Sequence, residues 1–306
     1  MAEPHLLDRT QMRRAFDRAA PDYDRHAVLQ REVAARMAER LELVKLRPEL
    51  ILDAGCGTGY AFDTLRSRYP DARVIGLDIA FNMLVEAKKK RPKTFLGQLS
   101  SVLKLSPRSS VLDPLICGDV DHLPVRTSSI PLIWSNLTLQ WVNDLNATFR
   151  EWLRVMAPEA LLMFSTLGPD TLKELRESFS RIDGLSHVNR FLDMHDIGDA
   201  LVHAGFQAPV MDVEHIVLTY EVLDDLLREL KLIGAHNVMA GRGRGMMGKN
   251  RWAAVCDAYE RFRREGRLPA TYEVVYGHAW AGDKTRLADG RQVIQMKISG
   301  RRSGKR

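Results

Sequence analysis

Seven residues, Asp53-Ala54-Gly55-Cys56-Gly57-Thr58-Gly59, put a carboxylate and three glycines directly after the apolar run Leu50-Ile51-Leu52. Glycines in such a turn let the backbone reverse tightly and come close to a ligand, and the turn amides with the following helix N-terminus can meet an anionic group. A dinucleotide-binding turn Gly-x-Gly-x-x-Gly/Ala starting at Gly55 needs Gly or Ala at position 60, and Tyr60 stands there. The pattern suits a smaller ligand with a carboxylate end; the alternative is a purely structural tight turn. Asp78 follows Gly59 by nineteen residues, at the end of Arg73-Val74-Ile75-Gly76-Leu77. An acid there can accept hydrogen bonds from both hydroxyls of a ribose, or can simply cap the helix expected from Asn82. A third acid, Asp119, stands in Gly118-Asp119-Val120-Asp121-His122-Leu123-Pro124 after another apolar run.

These acids must be carried by strands. Residues 49–53, 73–78, 111–117, 130–135 and 160–165 read as short buried strands separated by helical segments, the clearest being Leu145–Met156. Such βαβ repetition predicts an α/β fold with a mostly parallel sheet covered on both faces. Helical spacing runs through 8–46 and is broken at Pro21; later come helices near 195–204, 222–233 and 250–265 and strands near 211–219, 271–280 and 291–299. The serine-rich stretch 94–110 reads as a loop enlargement.

Composition narrows the function classes. No apolar stretch approaches the roughly 18 residues of a membrane span and the first thirty residues lack a signal core, so a cytoplasmic protein is expected. Cys56, Cys117 and Cys256 are odd in number and far apart, which supports neither a disulfide framework nor a zinc site. Residues 231–306 hold 17 Lys and Arg against 6 Asp and Glu, while the rest of the chain is net acidic. That imbalance points to an acidic partner for the C-terminal part, or to a solvated face with a basic tail at 301–306.

The Asp-x-Gly-x-Gly-x-Gly turn resembles the first motif of class I S-adenosylmethionine-dependent methyltransferases. Asp78 and the Gly118–Pro124 turn match, in order, the family's ribose-binding and adenine-contacting motifs, with Asp119 facing the exocyclic amine. The resemblance implies a seven-stranded Rossmann-like sheet with its last pair antiparallel and a helical cap. It implies S-adenosylmethionine contacts at Asp53, Gly55, Cys56, Gly57, Gly59, Asp78, Ile79, Asp119, Val120 and Asn136. The implied organisation is an N-terminal helical segment (1–46), a cofactor-binding core (47–167), the rest of the sheet with cap insertions (168–300) and the tail.

Beyond the fourth strand no Asn-Pro-Pro-Tyr occurs, so the amino-nucleobase methyltransferase pattern is missing. Ser135-Asn136-Leu137-Thr138-Leu139-Gln140-Trp141, together with Phe16–Asp24, Phe164–Leu172, Leu230–Ala235 and Leu268–Trp280, resembles the malonyl-acyl-carrier-protein O-methyltransferases of biotin synthesis. A complex I assembly factor understood as an arginine hydroxylase shares the late Pro-Ala-Thr-Tyr segment, and quinone or other small-molecule methyltransferases are further alternatives. The resemblance implies malonyl-acyl carrier protein as substrate. Its free carboxylate, with a pKa of about 4, needs no general base. Tyr23 and Gln140 are then the candidates for orienting the acceptor, with Trp141 as a pocket wall. His26 and His278 have no partner visible in the sequence. Arg242, Arg244, Lys249 and Arg251 form a cationic stretch that could contact an acidic, phosphopantetheinylated carrier. A nucleic-acid-binding module is the non-enzyme alternative, but the stretch lacks aromatic residues to stack on bases.

Overall fold

The computed structural model of the chain describes residues 6–90, 113–182, 187–235, 237–239 and 248–282. The 94–110 enlargement, the strand expected at 291–299, Arg242, Arg244 and the basic tail lie outside the described residues. Three helices open the chain: α1 (Arg9–Ala19), α2 (Tyr23–His26) and α3 (Val28–Glu42). Asp8 caps α1 by accepting the Gln11 N–H, and the break after Ala19 falls where Pro21 interrupts the pattern.

Seven strands then make one sheet: β1 (Leu50–Ala54), β2 (Arg73–Asp78), β3 (Leu115–Cys117), β4 (Ile130–Ser135), β5 (Met156–Leu167), β6 (Phe206–Tyr220) and β7 (Leu268–Ala281). Their order is β3-β2-β1-β4-β5-β7-β6, with β1 to β5 parallel and β7 antiparallel to both neighbours. The crossovers between the parallel strands carry α4 (Phe62–Arg68), α5 (Phe81–Lys89) and α6 (Leu145–Val155). Among the described residues the expected seven-stranded sheet is thus present, with β7 ending at Ala281. Strand β5 is longer than the run Ala160–Ser165 suggested, because Met156 already pairs with Ile130 of β4; the register then shifts, with a positive φ at Glu159, before Leu161 pairs with Leu132.

Alternation of side chains sorts the core into two layers. Ile51, Leu132 and Leu161 face α3, with Val33, Met37 and Leu41 on that helix. Their neighbours Leu52, Ile133 and Leu162 face the other side, where Phe149 and Trp152 of α6 lie. Both faces are covered, which is why the strands read as continuous apolar runs.

The remaining helices are α7 (Lys173–Ser180), α8 (Met194–Ala204), α9 (Leu223–Leu232) and α10 (Lys249–Glu260). Helix α8 packs on α6 and β6, α7 packs on β7, α10 packs on α7, and α9 meets α2 and β6. Helices α7, α9 and α10 therefore lie with α2 and α3 on one side of the sheet. Among the described residues no helix is long and apolar enough to cross a membrane.

Candidate functional site

In an open parallel sheet, ligands bind beyond the carboxyl ends of the strands, where the strand order reverses. Here the reversal lies between β1 and β4, and the chain leaving β1 is the Gly-rich turn. Gly55, Gly57 and Gly59 have φ of 82°, 52° and 73°, the left-handed region that glycine enters without cost. The N–H groups of Gly55 and Cys56 both donate to the Leu77 carbonyl, at 2.8 and 2.9 Å, which ties the turn to β2. The turn also packs closely: a Cβ on Gly55 would lie 2.1 Å from Thr138 Oγ1, and one on Gly59 would lie 2.8 Å from the Phe62 ring.

Asp78, at the end of β2, accepts from Gly57 N–H at 2.9 Å and from Ala80 N–H at 2.8 Å. Two oxygens offer about four acceptor positions, so lone pairs remain for a ligand. Burial pushes its carboxyl up to about 6, against the opposing pull of these backbone donors. Asp53, buried at the end of β1, is held well above the ordinary carboxylate range by burial and by the charge on Asp78.

Beyond β3, Asp119 Oδ1 accepts from Asp121 N–H at 2.9 Å and from Arg9 Nη2 at 2.5 Å, and Arg9 Nη1 pairs with Asp121. Arg9 on α1 is thus a member of the site that sequence reasoning missed. The signal available, one Arg among several in α1, names no partner across 110 residues of chain. The Val120 carbonyl accepts from Trp152 Nε1 at 2.9 Å, which anchors this turn to α6.

Tyr23, Gly55, Gly57, Asp78, Ile79, Asp119, Val120, Asn136, Gln140 and Trp141 line one cavity. A smaller pocket on the other side of the turn holds Asp53, Cys56 and Thr58, and shares Tyr23, Gln30, Gly55, Gly57 and Asn136 with the cavity. The structure therefore brings together all the sequence-predicted cofactor residues except Gly59, which lines neither space and serves the turn's packing. Lys249 and Arg251 start α10 and line neither space.

Two of the predicted polar side chains are partly or fully engaged by the protein itself. Asn136 Nδ2 donates to the Gln30 carbonyl at 2.9 Å and its Oδ1 accepts from Ser165 Oγ at 2.8 Å, joining α3 to β5. Gln140 Nε2 donates to the Leu137 carbonyl at 2.7 Å and its Oε1 accepts from Thr166 Oγ1 at 3.3 Å. Tyr23 differs: among the described residues its hydroxyl has no hydrogen-bond partner. Its pKa is raised by burial and by the charges on Asp78 and Asp24, so it is an O–H donor at any ordinary pH.

Most of the rest of the cavity wall is apolar and comes from either side of the cofactor-binding segment in sequence: Met12 and Phe16 from α1, Leu29 from α3, Leu172, Phe191 and Leu230 from the cap side. Phe16 stands edge-on to Trp141 with ring centroids 5.1 Å apart. The N-terminal helices are held over the turn by polar bonds. Thr58 Oγ1 donates to Asp24 at 2.5 Å, Lys90 reaches Asp24 and Thr58, and Asn82 N–H donates to Asp17 at 2.9 Å.

Gly55→Ala should lower stability in urea denaturation by two separable amounts. Left-handed backbone costs a non-glycine residue about 1–2 kcal/mol, and overpacking against Thr138 costs about 1–3 kcal/mol. Gly55→Ala/Thr138→Gly should recover the loss due to crowding and keep the backbone loss. Full recovery, or none, would contradict this account of the turn.

The "Methyltransferase domain" family matches residues 52–164, the segment from β1 to β5. Among solved structures, the YcgJ protein from Bacillus subtilis shares the fold, with a TM-score of 0.53 over 80% of this chain and 97% of that one at 13% identity. Curated relatives extend the likeness to nearly the full length. A malonyl-acyl-carrier-protein O-methyltransferase of Laribacter hongkongensis is 52% identical over 97% of this chain and 98% of its own. One from Gallionella capsiferriformans is 53% identical over 96% and 98%. With the strand order, the glycine turn and the acids at the strand ends already in place, this likeness decides the matter: the chain belongs to the malonyl-acyl-carrier-protein O-methyltransferase family.

Proposed function

We propose that the chain transfers a methyl group from S-adenosylmethionine to the free carboxylate of a malonyl thioester carried on acyl carrier protein, in the synthesis of the biotin precursor. The observation that carries this reading is one cavity in which carboxylates on the strand ends face an apolar chamber with a protonated tyrosine. In this reading Asp78 accepts the ribose hydroxyls and Asp119 the adenine amine. Asp53 stands beside the pocket where the cationic methionine end lies, and that cation favours the ionised form of its raised carboxyl. Gly55, Cys56 and Gly57 give the close backbone surface, with Ile79 and Val120 as apolar walls.

The acceptor carboxylate is ionised at neutral pH and needs no proton removed. Attack of an anionic oxygen on a cationic sulfonium cancels charge, so an apolar chamber that sheds water from both favours the step. What the protein must add is alignment of oxygen, methyl and sulfur. Tyr23 is the donor for the acceptor carboxylate. Gln140 offers the second N–H of its amide, the first being spent on Leu137.

The division of the chain follows the same logic. Residues 47–167 hold the cofactor, 1–46 form the N-terminal helical segment, and 168–300 supply the rest of the sheet together with the cap and acceptor-binding insertions. The carrier is acidic and phosphopantetheinylated, and the cationic stretch that includes Arg242, Arg244, Lys249 and Arg251 attracts it; Lys249 and Arg251 open α10.

The direct test is incubation with methyl-labelled S-adenosylmethionine and malonyl-carrier protein, followed by mass analysis of the acyl group. One added methyl on the malonyl moiety is expected, and no accumulation of S-adenosylhomocysteine with any malonyl thioester would sink the reading. Cofactor affinity should depend on pH through Asp78. The free carboxyl titrates near 6 and ribose hydroxyls favour its ionised form. Binding therefore expels a proton below that pH, and affinity weakens as pH falls through it. In calorimetry Asp78→Asn should flatten this dependence, and Asp78→Ala should weaken binding near neutrality by about 1–3 kcal/mol. Tyr23→Phe should lower turnover roughly 10-fold to 100-fold, the worth of a hydrogen bond to a charged group, with S-adenosylmethionine affinity unchanged. Equal turnover in that variant would remove Tyr23 from acceptor binding.

A further inference from the structure

Beside the cofactor cavity lies a second, larger space of about 810 Å³. Its walls include apolar residues of α1 (Ala15, Ala19), of α7 and the turn before it (Leu172, Leu175, Phe179) and of α9 (Leu227, Leu230). The two spaces share Leu172, Asn189, Phe191, Leu230 and Ala235, so they meet at a common neck. Three cations, Arg18, Arg228 and Lys231, stand on the walls of the second space and are exposed. Arg228 is shared with Asp225 at 2.8 Å, whereas among the described residues neither Arg18 nor Lys231 has a carboxylate partner. The acid there, Asp22, is engaged by Arg25 at 3.1 Å.

At the neck, Asn189 is 7% exposed, and its buried Oδ1 has no hydrogen-bond partner among the described residues. An unpaired buried carbonyl costs stability unless something donates to it. An occupant that fits these walls is apolar along much of its length, carries a donor where it passes Asn189, and has an anion at its outer end.

We propose that this groove receives the 4′-phosphopantetheine arm of the carrier protein, a proposal that rests on the methyl-transfer reading above. The arm is a linear chain with a gem-dimethyl group, two amides and a terminal thioester, joined to the carrier through a phosphodiester. Its phosphate lies against Arg18 and Lys231, one amide N–H donates to Asn189 Oδ1, and the thioester passes Leu172 and Leu230 into the cofactor cavity. The malonyl carboxylate then arrives on the side where Tyr23 stands. The arm and the cofactor enter from different directions, and the carrier's folded body stays outside, over α1 and α9.

The test compares three acceptors: malonyl-carrier protein, malonyl-phosphopantetheine and malonyl-pantetheine, the last without phosphate. For the wild type, loss of the phosphate should raise KM about tenfold, the scale of a charged hydrogen bond. Arg18→Ala/Lys231→Ala should raise KM by a similar factor for the two phosphate-bearing acceptors. It should leave malonyl-pantetheine and S-adenosylmethionine affinity unchanged, which erases the phosphate effect. Asn189→Leu should raise KM for all three acceptors, again with cofactor affinity intact. If the double variant leaves KM for malonyl-carrier protein unaltered, or raises it equally for malonyl-pantetheine, the groove is not the arm's path. The same holds if Asn189→Leu leaves every KM unchanged. Failure of the wild type to methylate any of the three acceptors would instead overturn the methyl-transfer reading itself.

Discussion

Two backbone N–H groups, those of Gly55 and Cys56, converge on the single carbonyl of Leu77, and the rest of the site is hung from that contact. It brings the turn after β1 against the end of β2, and the next N–H along, that of Gly57, then meets Asp78. Only a chain in the left-handed region three times within five residues can follow this path. The missing side chains are used as well as the permitted angles. Thr138 from the β4 side fills the place of a Gly55 Cβ, and Phe62 lies where Cβ atoms of both Gly59 and Gly76 would be. Loop, helix and neighbouring strand thus fix one another, and the carboxylates beyond them inherit their positions.

A second theme is unequal charge. Asp78, Asp119 and Arg9 are the charged groups lining the cavity among the described residues, with Asp53 and Asp121 just beyond it. Arg9 offsets the pair on the β3 side, but Asp53 and Asp78 have no such cation: burial displaces both carboxyls upward, with the charge on Asp78 adding to the shift at Asp53 and that on Asp17 to the shift at Asp78. A cationic ligand lying between the glycine turn and these acids relieves a repulsion already built into the protein. The cofactor side is accordingly polar in its fastenings, and the acceptor side is apolar.

The parallel half of the fold was legible because its central strands β1, β4 and β5 are buried on both faces and the cofactor-side strands carry their own punctuation: glycines after β1, Asp78 at the end of β2, Gly118-Asp119 after β3. Local residue types carry that information. Arg9 and Gln30 could not be found the same way, since the acids and the amide they meet lie more than a hundred residues away, and the residues themselves are ordinary for a helix; Asn189 likewise stands in a loop with nothing local to mark it. Gln140 and Asn136 show the converse. Their motif is conspicuous in the sequence, yet most of their hydrogen-bonding capacity is turned inward to hold β4, β5 and α3 together. A polar residue in a recognisable run can thus serve the frame more than the ligand.

The reversed strand β7 has a consequence for how the chain comes to exist. It lies between β5 and β6 and is the element that joins β6 to the sheet. During synthesis, β1 to β5 leave the ribosome first, with the outer edge of β5 open along the seven residues that later pair with β7. Strand β6 follows with no neighbour of its own to pair with. An open strand edge is a template for pairing with another chain, and it stays exposed until the chain has been made through Ala281. The nascent protein therefore passes through a window in which its cofactor turn is complete but its sheet is unsealed. In that window it is most vulnerable to aggregation and most dependent on whatever shields it.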